Sequence, residues 1–464
     1  MIEGGLLFIL AGAPLAFGSV HAFAYGAVQS AALFIFLLWG VHQYLIPETQ
    51  NGNLIARYRF VLPFIFWIGL VLFQMIPLAP ELLRIVSPET FRIHQAILAT
   101  VHRGSYPLSL SVFDTWRALL QVVTCVVLFY LVLSFSPFPV ASDKTDKKGD
   151  PFFNSLLFVA ALTVGFQVFY ALTEYFLGHQ QIFLFHRSTP ARGAAGTFVS
   201  PNHFANYLLL FFPLFFSWAV LLRRSSTQQH EDGIPSFRGL RGFLMVVLVG
   251  MAIAVVLSHS RMAFFTFLIE VFLLSVCFFF SEAHQRRWTI GLLFSLFVGA
   301  VIALIFLDPG FSFFQNKLLT LFQGKEKAHL RFWKDSFQIV KDFPWTGTGL
   351  GTFQLILPKY SSVPIVFHLE HAHNDWLELL VETGIPGFGL MATAILWFFA
   401  ASLRRLQGVP LPMRPLGFGI LISLLAFMIH SLTEFNFHIP ANTYSFAILL
   451  GMSLRLNQGM GGEP

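Results

Sequence analysis

Apolar stretches long enough to cross a bilayer core, about 17–25 residues, recur along the whole chain. About twelve are present, near 5–21, 24–45, 60–79, 117–136, 152–177, 204–222, 242–258, 262–281, 289–308, 384–403, 415–432 and 440–456. Their apolar residues run around every helical face, which marks spans and not amphipathic surface helices. In lipid each backbone must satisfy its own polar groups, so each stretch must be helical. The expectation is an all-α polytopic membrane protein. Composition agrees: 56% of the 464 residues are hydrophobic and 11% charged, against about 25% charged in a soluble domain. That excludes an ordinary soluble enzyme, a disordered chain and a fibrous repeat. The start, MIEGG, has no basic n-region, so the first stretch reads as a span and not as a signal peptide. Cys125 and Cys277 sit inside apolar runs and read as small buried hydrophobes.

Orientation follows from the basic residues. With the N-terminus cytoplasmic, the inner segments carry 15 Lys/Arg and the short outer segments 7, which predicts both termini inside. This also accounts for the net charge of +6. No basic run with interleaved aromatics points to nucleic acid. The outer segment 309–383 is too long for the charge rule to apply. A connection of that length is usually functional, and its Trp, Phe and Leu content predicts two or three short helices lying on the membrane face. The expected organisation is spans one to nine over 1–308, an outer catalytic segment over 309–383, and three further spans with a tail over 384–464.

The richest chemistry lies in the run from His371 to Gly387. Asp375 suits an N-cap, with Glu378 three residues later. Gly384 suits a stop, and Pro386 follows it. His373 then stands just before a helix N-terminus, where the dipole favours an anion and disfavours imidazolium. A neutral imidazole beside an anion site is a good general base. The bland reading is a capping segment with a hydrogen-bonded surface histidine. The run His368, Glu370, His371, His373 also resembles a metal cluster, although it lacks the i, i+4 pair of a helical zinc site.

Arg261 follows Ser260 at a turn between two spans, and Arg331 lies in the long outer segment. Either could merely cover apolar surface. Guanidinium is also the preferred bidentate partner of phosphate, so two of them facing a histidine suit a pyrophosphate-linked substrate. Gly196 to Tyr207 opens a span from the outside, with a turn at Ser200-Pro201-Asn202. Gly347-Thr348-Gly349-Leu350-Gly351 is a glycine-rich turn that follows no strand pattern, which argues against a dinucleotide site. There is no Walker A motif. Glu174, Glu270 and Glu434 lie within or at the ends of spans, where carboxylates are functional candidates, including for proton coupling.

These motifs resemble a known family. His373-Asn374 followed by Gly384 resembles the signature of the O-antigen ligase and polymerase superfamily. Gly196-Thr197-Phe198 with Pro201-Asn202, Ser260-Arg261, and Arg331-Phe332-Trp333 followed by Pro344 and Gly347-Thr348-Gly349 resemble its other motifs in order. Ser200 stands where the family usually has Asn. The resemblance implies a GT-C-like membrane fold of about twelve helices, with a helical periplasmic segment between spans nine and ten. It implies a metal-independent, inverting glycosyltransferase with no cofactor, working at the periplasmic face of a bacterial inner membrane. The donor would be an undecaprenyl-diphosphate-linked glycan and the acceptor a glycan, lipid or protein. His373 would deprotonate the acceptor, Arg261 and Arg331 would hold the diphosphate, and Asn202, Asn374, Glu378 and Glu382 would support them. Where Glu378 or Glu382 contacts the imidazole, it would orient the ring as an acidic partner does in a triad. A lipid A-core ligase leads. A polymerase or protein O-oligosaccharyltransferase is the rival within the family, and a flippase or proton-coupled transporter the rival outside it.

Overall fold

A computed structural model describes residues 1–45, 61–97, 104–135, 150–187, 190–228, 236–279, 327–362, 370–411 and 413–456. The expected apolar stretches that fall on them are helical over most of their length, although 5–21 leaves the helix after Leu15 and 60–79 runs past Met75 into the short strand Pro77–Leu78; the one near 289–308 lies outside them. The helices in chain order are α1 (Ile2–Leu15), α2 (Ala22–Leu45), α3 (Leu62–Met75), the short α4 (Pro80–Val86) and α5 (Pro88–Ile97), and α6 (Val112–Ser134). There follow α7 (Pro151–Leu177), α8 (Pro201–Gln228), α9 (Ser236–Leu257), α10 (Arg261–Phe279), α11 (Lys327–Asp342), α12 (Phe353–Tyr360), α13 (Asp375–Leu406), α14 (Arg414–His430) and α15 (Pro440–Arg455). Seven of these, α2, α6 to α10 and α13, are long and apolar enough to cross a membrane, and α1, α3 and α14 are apolar but shorter. The chain is a multi-pass membrane protein. Its only strands among the described residues are two-residue pairs: Pro77–Leu78 with Tyr106–Pro107, and Gln181–Ile182 with Phe185–His186.

The bundle is built around α8. Its side chains from Phe204 to Phe216 are almost all fully buried. Aromatic residues four apart stack along it, Phe211 on Phe215 at 5.6 Å and Phe212 on Phe216 at 6.4 Å. Phe267 of α10 meets Phe212 edge-on at 5.0 Å. Burial in lipid gives little net drive between helices, so close packing must hold them. Gly419 of α14 provides it: a Cβ there would lie 2.5 Å from the Ser217 hydroxyl and 2.7 Å from the Pro213 carbonyl. At the far end, Arg455 joins three helices. It pairs with Asp150, the N-cap of α7, and donates to the Val132 carbonyl at 3.0 Å.

Two of the helices expected in the outer segment, α11 and α12, are seen, and α11 packs against α13. The glycine-rich turn explains how. Gly384 breaks α13 with φ 66° and ψ −177°, a conformation closed to side-chain-bearing residues. Into that break fits Gly347 (φ 62°), where a Cβ would lie 2.2 Å from the Glu382 carbonyl. Backbone bonds close the joint: Thr348 N–H to Val381 O at 3.1 Å, Gly349 N–H to Glu382 O at 3.0 Å, and Ile385 N–H to Pro344 O at 2.7 Å. The backbone thus breaks at Gly384, where the expected boundary at 383/384 falls.

Candidate functional site

The N-cap of α13 is Asn374, whose side chain accepts from Leu377 N–H at 3.1 Å. The cap thus falls one residue before Asp375, the expected one. Both residue types cap well, and tertiary partners decide between them. Asp375 is buried, accepts from the Phe437 backbone at 3.0 Å and faces His438 Nδ1 at 3.0 Å. Its own N–H reaches the Ser431 carbonyl at 3.0 Å. The segment ahead of α13 is in this way clamped onto residues 431–438, between α14 and α15. His373 is held there with φ 49°, a left-handed backbone that histidine tolerates but seldom adopts.

The clamp brings His373 to Glu434. Its Nδ1 lies 3.4 Å from Glu434 Oε2. Asn202, at the start of α8, donates its amide to Glu434 Oε1, and His203 Nε2 lies 3.9 Å from Oε2. Burial acts to raise the Glu434 carboxyl, but the hydrogen bond with His373 and the rings of His203 and His430 outweigh it and hold it below the usual carboxylate range. Glu434 stands just past the end of α14, at a span end as expected, and there it sits beside His373. With Nδ1 turned to an ionised carboxylate as donor, the lone pair of the imidazole falls on Nε2.

Glu378 makes a second pair. Its Oε1 is 2.9 Å from His371 Nδ1 and 3.3 Å from His438 Nε2, and its Oε2 accepts from Ala372 N–H at 2.8 Å. Burial opposes a charge on His438, yet the carboxylates of Glu378, Asp375 and Glu382 outweigh it and push the ring up to about 10. Glu378 thus faces His371 and His438, and the carboxylate beside His373 is Glu434. Glu382 instead accepts from Phe353 N–H at 3.0 Å and so caps α12. Phe435 ties the two pairs together. It stacks on His371 at 4.5 Å and meets His373 edge-on at 5.0 Å.

The consecutive run expected to resemble a metal cluster is split. His371 and His373 turn to different carboxylates, Glu370 is exposed, and His368 lies outside the described residues. The trio whose ligand atoms lie within 4.8 Å of one another is His371, Glu378 and His438.

Arg331 is exposed on α11, two residues before Trp333, whose indole donates to the Ala372 carbonyl at 3.2 Å. Arg261 is the first residue of α10, which packs along α14 and α8. The turn before it is fixed by His259, whose Nδ1 lies 2.6 Å from the Arg192 carbonyl. Of the motif at 196–202, Thr197 serves packing: its hydroxyl donates to the Pro14 carbonyl at 2.6 Å and accepts from the Gln167 amide, also at 2.6 Å. Asn202 alone reaches the histidine site. Beside it, an apolar cavity of about 220 Å³ lies between α3, α6, α13, α14 and α15, from Trp67 and Phe129 to Asp375 and His438.

Fold and site together define a multi-pass membrane protein with a carboxylate-backed imidazole mounted on an extramembrane loop. Residues 246–392 match the family model described as O-antigen ligase. This supports membership of the O-antigen ligase superfamily, as the motifs suggested, and points to a glycosyltransferase-like enzyme. The matched stretch holds Arg261, Arg331, His371, His373 and Gly384, whereas Asn202 and Glu434 lie outside it. No curated protein matches the chain.

Proposed function

We propose that the protein moves a glycan from an undecaprenyl-diphosphate-linked donor to an acceptor hydroxyl, lipid A-core or similar, at the periplasmic face of the inner membrane. The observation that carries this reading is the pairing of His373 Nδ1 with Glu434 at 3.4 Å, on a segment matched by the O-antigen ligase family. His373 Nε2 takes the proton of the acceptor hydroxyl. The oxygen attacks the anomeric carbon of the donor glycan from the face opposite the diphosphate, so configuration inverts. The anomeric C–O bond breaks, and its electron pair leaves on undecaprenyl diphosphate. Glu434 steadies the imidazolium that forms, as a carboxylate does in a hydrolytic triad. Arg261 and Arg331 hold the diphosphate and meet its growing charge. Because guanidinium groups supply that charge, the reaction needs no metal ion as Lewis acid. The apolar cavity beside Asp375 and His438 suits part of the polyprenyl chain, and a GT-C-like arrangement of spans suits a donor that enters from the bilayer.

The test is transfer by purified protein in nanodiscs, with donor affinity measured alongside. His373→Ala should abolish transfer and leave donor binding nearly intact. Loss of donor affinity in His373→Ala, with normal turnover in Arg261→Ala and Arg331→Ala, would reverse the roles.

A further inference from the structure

We propose that His371 is an acceptor-binding residue, receiving a hydrogen bond at Nε2 from a hydroxyl of the acceptor sugar; this rests on the transferase reading above. The geometry leads there by elimination among satisfied groups. His371 Nδ1 faces Glu378 Oε1 at 2.9 Å, and Glu378 is buried with its other oxygen held by the Ala372 backbone. The His438 ring spans Glu378 and Asp375, one nitrogen on each, and Asp375 Oδ2 is taken by Phe437 N–H. Each polar atom of this chain of four side chains is thus engaged, with one exception. Among the described residues, His371 Nε2 has no hydrogen-bond partner, and the side chain is 21% exposed.

A ring that donates from Nδ1 to a carboxylate carries its lone pair on Nε2. The open atom is therefore an acceptor, which matches an O–H donor and not an anion. Its direction is fixed, because the ring is stacked on Phe435 at 4.5 Å and lies 4.3 Å from His438. Phe435 also carries His373 on its edge at 5.0 Å, so both imidazoles sit against one side chain and an acceptor glycan held at His373 passes close to His371. The His371 pair is less suited to act as the base. Glu378 is shared with a charged His438 ring, and a carboxylate already carrying one imidazolium has less to give a second. The trio has the ligand count of a metal site. However, Glu378 Oε1 already accepts from His371 at 2.9 Å and faces His438 Nε2 at 3.3 Å, so the carboxylate is paired with two rings without an ion.

The experiment uses the full chain in nanodiscs, lipid A-core as acceptor probe, and His371→Leu and His371→Gln. One neutral hydrogen bond corresponds to about 3- to 10-fold in affinity. His371→Leu should raise the acceptor KM by about that factor, leave donor affinity unchanged and lower kcat less than KM rises. His371→Gln, which keeps an acceptor atom, should recover most of the loss. An unchanged acceptor KM, or a fall in kcat alone, would show that His371 only braces the loop and would overturn the proposal. So would stoichiometric zinc in the wild type that His371→Leu removes. Direct binding of lipid A-core is measured in parallel. If the wild type binds it in a His371-dependent way but transfers nothing, the transferase reading fails and the binding role of His371 stands. If the wild type does not bind it, the proposal fails.

Discussion

Two imidazole–carboxylate pairs lie two residues apart on one loop and share one phenylalanine, yet they are built in opposite ways. His373 meets a carboxylate brought from Glu434, on a separate segment between α14 and α15, and that carboxylate also accepts from the Asn202 amide and lies 3.9 Å from His203 Nε2. His371 meets a carboxylate from the first turn of the helix that follows it, and that one is shared with His438, which is backed by Asp375. The first pair has neutral support and can absorb a proton's charge. The second is already an ion network, so it holds shape better than it exchanges protons. What stands behind the carboxylate therefore separates the two histidines, which the sequence H-A-H presents as equivalent.

The largest effect should come from breaking the first pair at its ring. A general base contributes about 10²–10⁴-fold in rate, so His373→Ala should lose transfer by that factor, read as kcat in nanodiscs at saturating donor. His371→Ala should fall far short of this; equal losses would erase the distinction. Next comes Glu434→Gln, which keeps the size but not the charge. It should lower kcat by about 10²-fold, through loss of the imidazolium's partner, while Glu378→Gln should act mainly on acceptor KM. A smaller change is expected at Arg331→Lys and Arg261→Lys. An ammonium restores charge without the guanidinium fork, so donor affinity should drop about tenfold, measured with labelled donor, and acceptor KM should stay put.

The smallest effect sharpens the second pair through pH. His438 ordinarily titrates near 6.5 and is pushed up to about 10 in the fold. A raised pKa means that its stabilisation is complete below about 6.5 and is lost as pH rises through about 10. The thermal midpoint of the wild type should therefore fall between pH 7 and 10.5 by more than that of His438→Gln. Parallel curves for the two proteins would show that His438 carries no proton there.

The multi-pass helical character, the break at Gly384 and the place of His373 just ahead of a helix were legible, because each follows from local chemistry: apolar length, a glycine before Pro386, and a capping asparagine after the histidine. The partners of His373 and His371 were not. Glu434 is 61 residues further on, and as a carboxylate at the end of an apolar stretch it read as a proton carrier. His438 carries no spacing signal at all. The segment Thr433 to His438, wedged between two apolar stretches, alternates polar residues with Phe435 and Phe437: a loop that short with a carboxylate, an asparagine and a histidine is richer than a turn requires. The cap at Asn374 in place of Asp375 shows the same limit. Two adjacent residues of equal capping ability are told apart only by the distant backbone of Phe437 and the ring of His438.

The joint between Gly347 and Gly384 bears on how the protein comes into being. The outer loop contributes one glycine and the bend in α13 the other, and neither has room for a methyl group because of the other's backbone. The loop that carries Arg331 and Trp333 therefore has no seat until the chain has been made well past residue 384 and α13 has bent. The histidine site needs Glu434 and His438 as well, so it closes only once the chain has been made past residue 438.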